Sequence, residues 1–258
     1  MKRFTDKEIS FIKENYKTET YKEIAKYLNR TTDVVKQKVR LLGLSSCKIG
    51  TNPKSRKKKQ YTFNENFFSK QTLISSYWAG FFSADGYIND KRYTNELSCM
   101  LSIKDKKHLE KFKKEINFDG PILLGNCNGF PMCSITLRSN KLCQDLKDNF
   151  NIIPRKSLKL KFPRFNFNEN RYSFIIGYID GDGSIFKVKK KLRFTILGTK
   201  SFLKTIVRHL RFICNKTKYS LYKKNNIYDL TFSSYNAEEV YEYLDTYDVP
   251  KLKRKWKY

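Results

Sequence analysis

Over the first 45 residues, apolar side chains recur at helical spacing between polar start and stop signals. Thr5 with Glu8, and Thr20 with Glu23, have the spacing of capping boxes, in which a threonine hydroxyl and a glutamate carboxylate satisfy free backbone N–H groups reciprocally. A third helix is expected to start at Thr32 and stop at Gly43. Val35, Val39 and Leu42 then share one face, while Asp33, Lys36, Gln37 and Arg40 share the other. Ile9, Ile12, Ile24, Ala25 and Leu28 complete a small core. The pattern over 1–45 is that of a helix-turn-helix whose candidate recognition helix exposes Lys36, Gln37 and Arg40 to DNA. A plain three-helix bundle with a solvated face is the alternative.

Residues 46–68 break this rhythm. They carry Gly50, Pro53 and a basic run from Arg56 to Lys59 without sustained periodicity, and read as a linker in which Lys58 can follow phosphates. From residue 69 the pattern changes again and then repeats itself. Leu97, Cys99, Leu101 and Ile103 alternate with Glu96, Ser98, Met100 and Ser102, as in a half-buried strand. Leu101, Ser102 and Ile103 match Phe194, Thr195 and Ile196 at an offset of 93, Ser134 to Leu137 match Asp229 to Phe232 at 95, and Ile153-Pro154 match Val249-Pro250 at 96. The expected fold is α+β, with two tandem αββαββα repeats at 69–160 and 173–258 joined by a linker at 161–172.

The repeat is sharpest at its start. Gly80-Phe81-Phe82-Ser83-Ala84-Asp85-Gly86 and Gly177-Tyr178-Ile179-Asp180-Gly181-Asp182-Gly183 lie 97 residues apart, each the end of an apolar helix closed by an acid and a glycine. Glycine inside a helix costs about 1 kcal/mol relative to alanine, so Gly80 and Gly177 call for a compensating close approach. Gly80 with Ala84 and Gly177 with Gly181 form a small-xxx-small face suited to it, by analogy with membrane helices. Such packing would bring Asp85 and Asp182 to one place. Two carboxylates roughly 4 Å apart repel by about 4 kcal/mol at an effective dielectric of 20, and a helix C-terminus adds further negative potential. A divalent cation reverses that penalty. Hard oxygen ligands with room for water and phosphate suit Mg²⁺ and phosphodiester hydrolysis.

Charge narrows the substrate. Lysine plus arginine number 53 against 25 acids, a formal charge of +28, which favours a polyanionic partner. Apolar runs fall short of the roughly 20 residues of a membrane span, and the opening residues carry no signal-peptide pattern, so the cytoplasm is the expected location. The six cysteines show no CxxC pair and the histidines are two, His108 and His209, which speaks against a zinc cluster and against histidine-based nucleophilic catalysis. Carboxylates and lysines are left to carry the chemistry.

The duplicated acid motifs and the blocks downstream of them resemble the LAGLIDADG homing endonucleases in the form where one chain holds two motifs. The resemblance covers about 75–258. It implies a helix pair at a pseudo-twofold axis, two four-stranded antiparallel sheets forming a saddle over the major groove, and metal-dependent cleavage of both strands of a long duplex site by a monomer. Carried over by position, Asp85 and Asp182 are the metal-binding acids, and the carbonyls of Ala84 and Gly181 are further ligands. Ser83 departs from the motif's first acid, which Asp180 keeps. The family also places a basic residue near the scissile bond after the last helix of each half, which fits Lys156 after Pro154 and Lys255 after Pro250, although the spacing from proline differs by three. Asn89, Lys91, Arg138, Lys187 and Lys189 are candidate DNA contacts on the strands. A non-catalytic DNA-binding regulator and an RNA maturase assisting intron splicing are the competing readings.

Overall fold

The computed structural model describes residues 4–16, 18–44, 61–90, 94–214 and 218–258. The chain divides into two compact units, Met1–Gln60 and Tyr61–Tyr258.

In the smaller unit, helices α1 (Asp6–Asn15), α2 (Tyr21–Tyr27) and α3 (Thr32–Leu41) enclose Ile12, Ile24, Ala25, Val35 and Val39. Both expected capping boxes form: Glu8 N donates to Thr5 Oγ1 at 3.3 Å and Thr5 N to Glu8 Oε2 at 2.7 Å, with the same exchange between Thr20 and Glu23. Glu8 also accepts from the Arg30 guanidinium at 2.8 and 3.1 Å, which ties α1 to the turn before α3 and, with the cap, holds its carboxyl near 2. Gly43 ends α3 with a φ of +67°, the left-handed stop that the sequence signals.

The larger unit runs α4 (Leu73–Ala84), β1 (Gly86–Asn89), β2 (Glu96–Ser102), α5 (Lys106–Glu115), β3 (Leu123–Cys127), β4 (Phe130–Arg138) and α6 (Asn140–Phe150), and then repeats. The second pass is α7 (Asn168–Asp182), β5 (Gly183–Val188), β6 (Lys191–Gly198), α8 (Lys200–Leu210), β7 (Tyr219–Lys224), β8 (Ile227–Ser233) and α9 (Tyr235–Asp245). Each half forms a four-stranded antiparallel sheet of the same order, β1-β2-β4-β3 and β5-β6-β8-β7. The predicted αββαββα plan is therefore present twice.

One face of each sheet is buried under its own helices. Leu97, Cys99, Ile135 and Leu137 point into the core of the first half, and Phe194, Ile196, Leu230 and Phe232 into that of the second. The opposite faces are open. Residues 61–68, read from sequence as the end of a linker, belong to this core: Phe68 is fully buried against Phe82 and Phe150, and Tyr61 and Phe63 pack edge-on against Phe118. Their aromatic rings dock individually, so no period announces them. Likewise α7 begins at Asn168, inside the stretch read as an inter-repeat linker, and Asn170 there donates to the Gln71 carbonyl at 2.6 Å.

Candidate active site

Helices α4 and α7 meet backbone to backbone. A Cβ added at Gly80 would fall on the carbonyl oxygen of Phe174, and one at Gly177 on that of Tyr77. The compensating reason for helix glycines is thus direct contact between two main chains, reinforced where Ser173 Oγ donates to Leu73 O at 2.5 Å. The interlock continues downward: a Cβ on Gly181 would overlap the Ala84 methyl and lie 3.4 Å from Asp85 Oδ2. The carboxylate that closes one helix therefore rests against the last turn of the other, one residue before Asp182.

Both acids lie at the lower end of the helix pair. Water reaches Asp85 and partly reaches Asp182, yet both carboxyls are desolvated by the protein around them. Burial, and then the charge of Asp182, push the Asp85 carboxyl up to about 6. Burial also raises Asp182, opposed by the charges of Lys156 and Lys255. These two lysines, each 7% exposed, supply the local cations. Lys156, in the 3-10 turn Lys156–Leu158, donates to the carbonyls of Ala84 at 3.2 Å and Gly86 at 2.6 Å. Lys255 donates to those of Gly181 at 3.2 Å and Gly183 at 2.6 Å, and also reaches Ile179 and Asp180. Ala84 to Gly181 and Gly86 to Gly183 are both steps of 97, so the lysines occupy matching places. Each sets its charge against the negative end of a helix dipole, and burial lowers the pKa of both.

The halves differ one turn up. Asp180, 1% exposed, accepts from Tyr77 Oη at 2.6 Å, Leu252 N at 2.8 Å and Trp256 Nε1 at 2.7 Å. Burial raises its pKa, and these donors oppose the rise. Because the Tyr77 proton goes to Asp180, the 3.0 Å contact between Tyr77 Oη and His108 Nε2 requires the imidazole to donate there. His108 Nδ1 is then a bare lone pair, and among the described residues no group hydrogen-bonds to it. Asp105 grips the neighbouring Arg254 through two 2.8 Å bonds. At the place matching Asp180, the Ser83 hydroxyl is buried with no hydrogen-bond partner among the described residues. Sequence reasoning missed Tyr77, His108 and Trp256, because only the fold brings residues of α4, α5 and the segment 250–258 to one carboxylate.

Hard oxygen donors dominate the floor of the site. Among the described residues no group of three or more His, Cys, Asp or Glu side chains is arranged to hold a metal. A pair of carboxylates without a third acid suits, in its chemistry, a cation that keeps part of its water shell, and a cation placed between such a pair relieves its mutual repulsion. The Ala84 and Gly181 carbonyls each already accept from a lysine, leaving one lone pair apiece.

The candidate DNA contacts scatter more widely. Lys36, Gln37 and Arg40 are exposed on α3, with Lys36 3.3 Å from Asp33. Asn89 and Arg138 lie on the open face of the first sheet, Arg138 paired to Glu96 at 2.6 Å. Lys189 is exposed in the β5–β6 hairpin at a φ of +48°. Lys187 departs from expectation: it shares the helix-covered strand face with Ile185, and its ammonium stands 5.2 Å from the Tyr258 ring centre. Lys58 and Lys91 lie outside the described residues.

Comparison of the coordinates finds solved structures of the same kind. The chain is similar to LAGLIDADG homing endonucleases. They include LAGLIDADG meganuclease I-AabMI bound to uncleaved DNA, at 12% identity and a TM-score of 0.47 over 69% of this chain and 86% of that one. Another is LAGLIDADG homing endonuclease I-LtrWI bound to target DNA, at 16% and 0.44 over 74% and 87%. A third is I-DmoI in complex with DNA and Ca, at 18% and 0.48 over 74% and 96%. At such identities the likeness to these LAGLIDADG proteins concerns fold alone. No family model matches the chain, and no curated protein sequence does. Among the described residues no helix is long and apolar enough to cross a membrane.

Proposed function

We propose that this chain is a site-specific double-strand DNA endonuclease in which Asp85 and Asp182 hold divalent metal, Mg²⁺ being the expected ion. One observation carries the reading: an acid and a buried lysine occur twice, in matching places, at the ends of two interlocked helices. Two cleavage centres related by a pseudo-twofold suit the two antiparallel strands of a duplex, and the +28 charge suits its phosphates. A cation bound there would supply Lewis-acid stabilisation of the phosphate and of the departing oxygen.

The chain's own groups do the rest. Asp85 and Asp182 fix where the scissile phosphates must lie, and their carboxylates orient attacking water. Lys156 and Lys255 place positive charge behind each centre, where it offsets charge developing on phosphate oxygen. Lys36, Gln37 and Arg40 on α3 add contacts that extend the recognised site.

The test is cleavage of a randomised duplex library with Mg²⁺, followed by sequencing of the cut ends. Cutting at one long sequence, lost in Asp85→Asn and Asp182→Asn while binding persists in a mobility-shift assay, is the expected outcome. Cleavage surviving both substitutions refutes the assignment. Binding without any cleavage by the unsubstituted chain identifies a regulator.

A further inference from the structure

The two open sheet faces carry different chemistry. Strand registers place Tyr87, Ser98 and Thr136 on one rung of the first face, and Met100, Ser134 and Leu123 on the next. Tyr87, Met100, Leu123 and Phe130 are 53%, 48%, 57% and 72% exposed. Ser98 and Thr136 bond each other at 3.0 Å, so part of their donor capacity is spent internally. Among the described residues the one cation on this face is Arg138, and Glu96 holds it at 2.6 Å. Asn89 and Ser102 are exposed polar residues on the same face.

On the second face the matching rungs carry Ser184, Thr195 and Thr231, and then Leu197, Asp229 and Tyr222, with Tyr222 65% exposed. Arg193, at the place of Glu96, lies between Phe186 and Ser233, with Lys191 beside Val188 and Lys224 beside Ile227 at the outer rungs. Arg193 is exposed, and among the described residues no acid pairs with it. Asp229 is the one acid on that face among them, and Tyr222 lies opposite it.

Bases sort by this chemistry. In the major groove guanine is read by an arginine fork on O6 and N7, adenine by asparagine on N6 and N7, and thymine through its C5 methyl by apolar side chains. A face of tyrosine, methionine, leucine and asparagine, with its arginine already engaged, matches A·T pairs. A face presenting an unpaired arginine matches a guanine.

We infer that the target duplex is asymmetric: the half under the first sheet is A·T-rich and read through thymine methyls, and the half under the second sheet contains a guanine read by Arg193. This rests on the proposed duplex-cleaving function and deepens it by naming the substrate's composition. The apolar first face is assigned to DNA and not to a protein partner because the chain is strongly cationic and both faces occur at matching places in one repeat.

The experiment starts from sites that the full chain selects out of a randomised duplex library. The consensus should show one A·T half and one half with a fixed guanine. Arg193→Ala should lose the guanine preference, about tenfold or more in the ratio of affinities for G over other bases. Replacing thymines by deoxyuridine in the A·T half should weaken binding by about fourfold per methyl buried, and the same exchange in the other half should leave it unchanged. Met100→Gln, at an exposed position, should relax thymine preference at one step without affecting thermal unfolding. Two halves of equal composition, or deoxyuridine without effect, overturns this inference while leaving the nuclease reading intact. Selection of no duplex at all overturns both.

Discussion

Replacing Gly177 with alanine sets a gain against a loss. In an unobstructed helix the change would stabilise by about 1 kcal/mol. Here the new methyl would overlap the Tyr77 carbonyl oxygen and stand 2.8 Å from Phe81 N and 2.9 Å from the Tyr77 carbonyl carbon. All three are backbone atoms of α4, so no side chain can turn aside, and the two helices must part. Relieving the nitrogen contact alone takes about half an ångström, and a gap of that size forfeits roughly a quarter of the dispersion energy of atoms facing each other across it. Overpacking of this kind costs about 1–3 kcal/mol and more where the obstacle is rigid. Taking about 4 kcal/mol against the 1 gained leaves roughly 3 kcal/mol of destabilisation, or a Tm lowered by about 6–12 °C for a unit of this size. Thermal and urea unfolding of the full chain would measure it, with Gly125→Ala, which meets nothing within 4 Å, as the control. A Gly177→Ala protein as stable as the parent would refute the main-chain contact, and with it the reason the two acids share a site.

Lys156→Met and Lys255→Met keep the length of the side chain but remove its charge; each should lower cleavage of one strand by about 100-fold or more with duplex binding preserved, seen as nicked plasmid. If both strands remain equally cut, the lysines are structural only. Asp180→Ala strands the donors of Tyr77, Leu252 and Trp256 and should cost about 3–5 kcal/mol in urea unfolding, together with faster proteolysis within 250–258. His108 is held neutral, its pKa lowered to about 3 by burial and then by the nearby Lys111 charge. Because the unfolded imidazole binds a proton from about 6.5 downward and the folded one does not, stability should fall as pH drops from 6.5 toward 4, by up to about 3 kcal/mol. His108→Gln should flatten that slope; an unchanged slope in the variant would show that other groups set it.

Periodicity exposed the elements, and the structure shows where it stops short. The sequence pairs Leu101 with Phe194, an offset of 93, but the strand registers put Ile88 beside Leu97 and Ile185 beside Phe194, so Leu97 is the equivalent of Phe194 at an offset of 97. A strand's alternation is unchanged by a slide of two or four residues, and only its partner fixes the register. The pairing of Thr136 with Thr231 agrees with the structure, because each lies opposite the matching residue of its neighbour, Ser98 and Thr195. Lys187 shows the same limit: counting charges along β5 does not tell which pleat face a strand-end lysine takes.

The site itself was legible only as far as local chemistry reaches. An acid and a glycine after a small-residue helix can be read twice in the sequence, but the equivalence of Lys156 and Lys255 is obscured, since they follow their prolines by two and five residues. The target they share is a pair of carbonyls, 84 and 86 or 181 and 183, and a chain may approach such a target by paths of different length. That difference in path explains the unequal first acids. Lys156 is held in a 3-10 turn that leads through buried Leu160 toward α7, so its position follows from the segments on either side. Lys255 rides on 250–258, which is neither helix nor strand, and the Asp180 carboxylate fixes that segment by gripping it at Leu252 and Trp256. A serine suffices at position 83 because no comparable segment has to be held there.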